Sequence, residues 1–227
     1  MSDARGLMAF WADIDPDYVT EYRRWHNCEH VSERVNIPGF VNGRRYCGSG
    51  EAAMFLMYYE TETPEVLASE AYHAALNAPT PWTKQALTHF RNPARNIYQL
   101  VASEGAALAE PAPYVATIRF NLSAEEEAIV AAYGGSVLPA LAAEAGVLRA
   151  RLYRIDEKIS GIVTSERKIY GGGPGEQRYL LFVELAEERP AIAPGALPGL
   201  PEGAAGRHAD VFAEAGWLDF SLDAPKR

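Results

Sequence analysis

The chain has 227 residues, of which 48% are hydrophobic and 22% charged, and carries a formal net charge of −9. That length suits one large domain or two of about 100–150 residues, enough to bury a core without disulfide staples. The acidic balance argues against a nucleic-acid partner, which needs a basic face, and against an anionic membrane surface. The two cysteines, Cys28 and Cys47, form no Cys-x-x-Cys pattern and fit a reduced, cytoplasmic setting. "MSDARGLMAFWADIDPD" lacks the basic start and long apolar run of a signal peptide. No stretch reaches the ~18 apolar residues of a membrane helix.

In chain order, "LMAFWADI" (7–14) reads as a strand. Asp15 as N-cap and Pro16 at the first helical position open a helix reaching about Val35, which Pro38-Gly39 stops. "FVNGRRYCG" (40–48), a short turn and "AAMFLMYYET" (52–61) read as a hairpin. "TPEVLASEAYHAALN" (63–77) is a second helix, with Thr63 as cap and Pro64 at the first position, "PTPWTKQALTHF" (79–90) an irregular or partly helical connection, and "ARNIYQLVAS" (94–103) a fourth strand. "EGAALAEPAPY" (104–114) is a linker, and the order restarts. A strand at 114–122, a helix from Ser123 to about Ala145, strands at 146–156 and 178–187, a short helix "GRHADVFAEA" (206–215) and a last strand at 217–222 complete the chain. "PGFVNGRRYCG" matches "AGVLRARLYRI": a helix end, a Gly, then a strand carrying Arg and Tyr.

The expected fold class is therefore α+β: two tandem ferredoxin-like β-α-β-β-α-β repeats, residues 1–104 and 112–227. Each repeat has helices on one sheet face and leaves the other bare. Packing the bare faces sheet to sheet gives an intrachain pseudo-dimeric α/β barrel. Two segments of the second half lack counterparts, 157–177 and 188–206. "GGGPGE" in the first has no following Lys-Ser/Thr and is no phosphate loop; it reads as a flexible hairpin tip or, alternatively, as a flap over a cavity.

The chemistry concentrates in "EYRRWHNCEHVSERVNIPGFVNGRRY" (21–46). At about 100° per residue, Tyr18, Tyr22, Trp25, His26, Glu29 and Glu33 share one helix face, with His30 at its edge. Aromatic side chains that ought to be buried thus sit with carboxylates and a histidine, where perturbed pKa values are expected. The plain alternative is a core of Tyr18, Tyr22 and Trp25 with Glu29 paired to Arg34, Arg44 or Arg45. A metal site is a further alternative. His26 and His30 are spaced i, i+4, but Glu29 precedes the second histidine rather than following the first, and a third ligand would have to come from His73, His89 or an acid.

"RRWHNCEHVSERVNIPGFVNGRRY" resembles the Trp-(His/Tyr)-x-x-Glu-His-x-x-Glu-Arg…Pro-Gly-Phe…Arg-Arg-Tyr pattern of the dimeric α/β-barrel superfamily, in an uncharacterised EthD-like or muconolactone isomerase-like subgroup. The superfamily also includes polyketide cyclases and cofactor-free monooxygenases. "SEAYHAALNAPTPWT" (69–83) looks like a second segment of that group. The second half has neither the Trp nor the Glu-His pair, so the resemblance implies one site in the first half, with the second half as wall and lid.

The leading expectation is a cofactor-independent enzyme, a lyase, isomerase or cyclase, moving a proton on a small carbonyl-containing, aromatic or lactone-like substrate. His30 or His26 would be the acid/base, with Glu29 tuning the histidine or serving as the base. Arg45 and Tyr46 would stabilise oxyanion charge, Tyr22, Trp25 and Trp82 would shape the pocket, and Asn77 would bind substrate. His73 and His89 read as surface or packing residues, and His208 receives no role. No cofactor or metal is expected, and the partner is a small molecule, with pairing into a homodimer left open. Two other classes stay open: a non-catalytic ligand-binding or stress-response protein, and a cofactor-free or haem-dependent oxygenase.

Overall fold

A computed structural model describes residues 4–48 and 54–226. The expected turn at 49–51, the first two residues of the 52–61 strand and the start of the N-terminal reading lie outside the described residues. The strands are β1 Gly6–Ile14, β2 Phe40–Gly48, β3 Met54–Thr61, β4 Phe90–Gly105, β5 Tyr114–Leu122, β6 Val147–Ile155, β7 Tyr179–Leu185 and β8 His208–Asp223. The helices are α1 Val19–Trp25, α2 Val31–Val35, α3 Glu70–Asn77, α4 Pro81–Leu87, α5 Glu126–Ala132, α6 Leu138–Ala142, α7 Glu157–Ser160 and α8 Ser165–Tyr170. One π-helical turn, His26–His30, joins α1 to α2, and another, Tyr133–Val137, joins α5 to α6. The hydrogen-bonded strand order β1-β3-β2-β8-β5-β7-β6-β4 closes on itself, so the fold is α+β with a closed eight-stranded antiparallel barrel.

The chain forms two compact units. The first comprises Ser2–Gln99, Asp156–Gly175 and Asp219–Arg227, the second chiefly Leu100–Ile155 and Glu176–Leu218. In the first, β1 pairs with both β3 and β4, and β2 pairs with β3. Residues on one face of these strands, including Met8, Phe10, Phe55, Met57 and Tyr59, pack under α1–α4 with Tyr22, Trp25 and Val31. In the second, β5 lies between β7 and β8, and β7 pairs with β6. Its core is Ile118, Phe120, Ile129, Val137, Leu141, Leu181 and Val183.

The helix expected over 63–77 divides into a 3-10 turn, Pro64–Ala68, and α3, which Ser69 rather than Thr63 caps, and the helix expected from Ser123 begins at Glu126. Three further local expectations change. The helix expected to begin at Asp15 begins at Val19, because Asp15 is committed elsewhere: its carbonyl accepts from the Tyr18 N–H at 2.8 Å and its carboxylate pairs with His89 and Arg91. "GRHADVFAEA" keeps only Gly206 and Arg207 helical, at the end of a 3-10 turn Ala204–Arg207; from His208 it is part of the 16-residue strand β8, whose backbone pairs with β5 from His208 to Trp217. Its Ala and Glu favour helix only weakly, and a full ladder of strand hydrogen bonds overrides that preference.

The third change concerns 157–177. It is not a flexible tip. Asp156 caps α7 by accepting from the Ile159 N–H at 2.8 Å, and Thr164 caps α8. Gly171, with φ +73, ends α8 in the left-handed conformation that glycine adopts at least cost. The Gly run then docks on β4: Gly173 bridges Ala94, and the Gly175 N–H donates to Asn96 Oδ1 at 2.7 Å. Arg167 ties the segment together, donating to the carbonyls of Ser160, Ile162 and Gly172.

Candidate active site

The π turn decides which side chains of the opening helix face inward. The Val31 N–H bonds the His26 carbonyl, an i→i+5 step, which inserts a residue and turns each side chain through less than the α-helical 100°. The regular-helix expectation placed Glu29 with Trp25 and His26 and left His30 at the edge. Instead Trp25, His26, His30 and Arg34 all line one cavity, and Glu29 turns toward α4, accepting from Thr80 Oγ1 at 2.6 Å and Thr83 Oγ1 at 3.1 Å.

The cavity lies within the first unit. Its floor comes from the strands, with Met8, Phe10, Met57, Tyr59, Phe90 and Arg95, and its walls from α3, α4 and α8, the last supplying Glu166 and Tyr170. Gly43, opposite Tyr59 in the β2–β3 ladder, lets the sheet lie close to the helix: a Cβ there would come within 2.8 Å of the Tyr59 ring and 2.9 Å of Val31. In the form described the cavity's lining side chains fill most of it, so a ligand larger than a water molecule requires them to move apart.

The polar groups on the lining are of two kinds. His26 Nδ1 and Nε2, His30 Nδ1 and the Tyr59 hydroxyl are buried with no hydrogen-bond partner among the described residues. Buried polar atoms are nearly always satisfied, so this group of orphans makes the cavity a candidate ligand site. The second kind is paired: Arg34 with Glu166, and Arg95 Nη2 donating to the Tyr72 hydroxyl at 2.9 Å. Burial holds both histidines well below the ordinary imidazole value; Arg45 and Arg34 push His26 further in the same direction, and Arg34 and His26 do so for His30. Both rings are thus neutral at pH 7, able to accept a proton. Their centroids are 5.7 Å apart, and the Trp25 indole lies 4.4 Å from His30. Burial raises the Glu166 carboxyl and outweighs the opposing pull of Arg34. It also raises the Tyr59 hydroxyl, which stays protonated as a donor.

Of the site residues expected from sequence, His26, His30 and Trp25 meet at the cavity. Trp25 is anchored by Nε1 donating to Thr83 Oγ1 at 3.1 Å, the same hydroxyl that serves Glu29. The others lie off the lining. Tyr22 is buried beneath the Arg45 guanidinium, which is 5.3 Å from its ring. Arg45 is paired to Asp219 at 2.7 Å, and Arg23 shares that carboxylate at 3.0 Å. Tyr46 stacks on Tyr58 with centroids 6.0 Å apart. Asn77 is exposed and accepts from the Ser165 N–H at 2.9 Å, pinning the start of α8. Trp82 Nε1 donates to Glu21 at 3.0 Å, tying α4 to α1. His89 stacks on Tyr18 at 3.7 Å. Among the described residues no group of three or more His, Cys, Asp or Glu could hold a metal ion.

Sequence reasoning missed Tyr59, Tyr72, Arg95, Glu166 and Tyr170 as site residues, and gave Arg34 only to Glu29 as a partner. Arg34 carried a signal, being spaced i+4 from His30. The others come from strands and short helices far along the chain, where nothing local marks them. Among the described residues no helix is long and apolar enough to cross a membrane.

No protein-family model matches the chain. No curated protein matches it either. Solved structures do, across almost the whole length. An anthrone oxidase-like protein superposes with TM-score 0.65 at 12% identity, covering 99% of this chain and 95% of that one. A proposed monooxygenase from Fusobacterium nucleatum gives 0.59 at 9%, covering 100% of both. Another from Lactobacillus acidophilus gives 0.58 at 10%, covering 97% of each. At these identities the likeness is one of fold.

Proposed function

We propose that the cavity of the first unit is the active site of a cofactor-independent enzyme that moves a proton on a small, largely aromatic carbonyl compound. The observation that carries this reading is the neutral His26 ring, both nitrogens unpartnered among the described residues, on a cavity it shares with His30. A buried imidazole held neutral needs no prior deprotonation, and although burial and the nearby arginines disfavour its imidazolium, the enolate formed beside it would supply the counter-charge. It would take a proton from a carbon next to the substrate carbonyl. The enolate oxygen so formed would be met by the Tyr59 hydroxyl and by a donor of Arg34. Returning the proton to another carbon is an isomerisation; loss of a group from the neighbouring carbon is a lyase step. Glu29 serves as a positioning residue, through Thr83 to the Trp25 indole beside His30. The motif from Trp25 to Tyr46 supports the EthD-like branch of the fold.

The oxygenase alternative shares the first step, because a stabilised enolate or phenolate can give an electron to dioxygen. The names of the structural neighbours, an anthrone oxidase-like protein and two proposed monooxygenases, favour keeping it. No step is assigned to haem.

The test is a panel of anthrones, tetralones and unsaturated lactones, followed by deuterium wash-in at the carbon acid and by oxygen uptake. Wash-in that is lost in a folded His26→Gln, His30→Gln double variant is the expected result. Wash-in undiminished in that variant removes the histidines from the chemistry. Oxygen uptake that accompanies wash-in selects the oxygenase.

A further inference from the structure

The charges on the cavity lining do not balance. Two cationic side chains face it, Arg34 and Arg95, and one carboxylate, Glu166. Glu166 is spent on Arg34. Glu33 also approaches Arg34, at 3.9 Å, but its side chain is 36% exposed and it is not on the lining. The two histidines add no charge at neutral pH. Arg95 has no carboxylate within ion-pair distance among the described residues; its one side-chain partner there is the neutral Tyr72 hydroxyl. Its guanidinium lies 6.0 Å from the centre of the Tyr72 ring, and Tyr170 stands on the same wall. A guanidinium has five donors in a planar fork matched to two oxygens, and most of those of Arg95 are unspent. Arg95 is only partly buried, so without a ligand its unspent donors meet water, and an oxyanion would give them charge-assisted partners instead.

We propose that the cavity takes a monoanionic aromatic ligand, its carboxylate or an equally delocalised oxyanion held by Arg95 beside Tyr72 and Tyr170. The apolar body would lie against Phe10, Met57 and Phe90, toward the histidines. This deepens the reading given above and rests on the same cavity being the working site. It assigns the charge of the ligand, which that reading leaves open, and makes Arg95 a specificity-determining residue. Glu166 is then a rival for the anion: its negative charge sits on the same wall, so the site discriminates against dianions.

The probes are 2-naphthoate and its uncharged isostere 2-naphthamide, titrated into the whole chain with Trp fluorescence and calorimetry as readouts. The carboxylate is expected to bind about 10- to 100-fold more tightly than the amide, the range of a charge-assisted contact. Arg95→Met should bring the two to parity, and Arg95→Lys should keep part of the preference. Glu166→Gln should tighten naphthoate and leave naphthamide unchanged, and it serves if Arg95→Met does not fold. Equal binding of the two probes, binding of neither, a preference unaltered in folded Arg95→Met, or weaker naphthoate binding in Glu166→Gln each overturns the proposal. Binding involves no chemical step, so failure of the proton-transfer reading leaves this result standing, and the converse also holds.

Discussion

The two halves of the chain carry one backbone device with opposite contents. In each, a short helix passes through a π turn into a second short helix, then a glycine and a strand. His26 starts the first π turn and Tyr133 the second, and the following strands start at Phe40 and Val147. Gly39 and Gly146 both take positive φ, +88 and +81, to make the same exit. Aligned this way, His30 corresponds to Val137, Arg34 to Leu141 and Arg45 to Leu152. The strand opposite continues the exchange: Met57 and Tyr59 face Arg45 and Gly43, whereas Leu181 and Val183 face Leu152 and Ala150. The first unit spends its π turn on a polar cavity; the second fills the same place with Val137, Leu138 and Leu141, all fully or almost fully buried. Even Tyr133 is satisfied, its hydroxyl 2.8 Å from His208 Nε2. A π turn, then, is no signature of function by itself. What distinguishes a site is the unsatisfied polar content placed on it.

Experiments that break this contrast rank by size. The largest effect is expected at the histidines: replacing His26 or His30 by Gln should lower turnover of an identified substrate by about 10²- to 10⁴-fold. Next is the buried pair. Arg34→Met alone leaves Glu166 buried without its partner and should cost about 3–5 kcal/mol in urea denaturation. The double change Arg34→Met, Glu166→Leu should recover most of that and make the first unit resemble the second. In the second unit, Leu141→Ala should cost about 2–5 kcal/mol as a plain cavity, with no change in turnover.

A smaller effect concerns pH. The folded chain holds His26 and His30 well below the ordinary value of 6.5. Beneath pH 6.5 the unfolded chain therefore binds protons that the folded chain does not. Their contribution is fully present above 6.5 and is lost as pH falls toward the folded values, by up to about 1.4 kcal/mol per pH unit for each ring. The His26→Gln, His30→Gln variant should flatten that slope. The smallest effect, about 1 kcal/mol, is expected from Thr83→Val, which removes the hydroxyl between Trp25 and Glu29; thermal unfolding measures it.

Much of the fold was legible because its signals are local. Alternating apolar residues marked β1–β7, and Pro38-Gly39 marked the end of the first helix. β8 was not legible over 208–216, since "HADVFAEAG" has no strand periodicity and is a strand because of what it pairs with. The two histidines of the candidate site were legible too, but not their geometry. A single π step, which no residue in "HNCEH" announces, exchanges Glu29 for His30 and Arg34 on the inner face. The caps of α7 and α8, Asp156 and Thr164, stood in the sequence. Helices of 4 and 6 residues are nevertheless too short to show a period, so the wall that carries Glu166 passed for a loop.

The central claim is a neutral histidine pair facing an enclosed cavity, and it can be tested without a substrate. Nitrogen-15 NMR of the imidazoles of His26 and His30, assigned with the single Gln variants, should show both rings neutral at pH 6.5 and still neutral at pH 6. A midpoint at or above 6.5 for either ring, or an imidazolium signal for either at pH 7, would contradict the account.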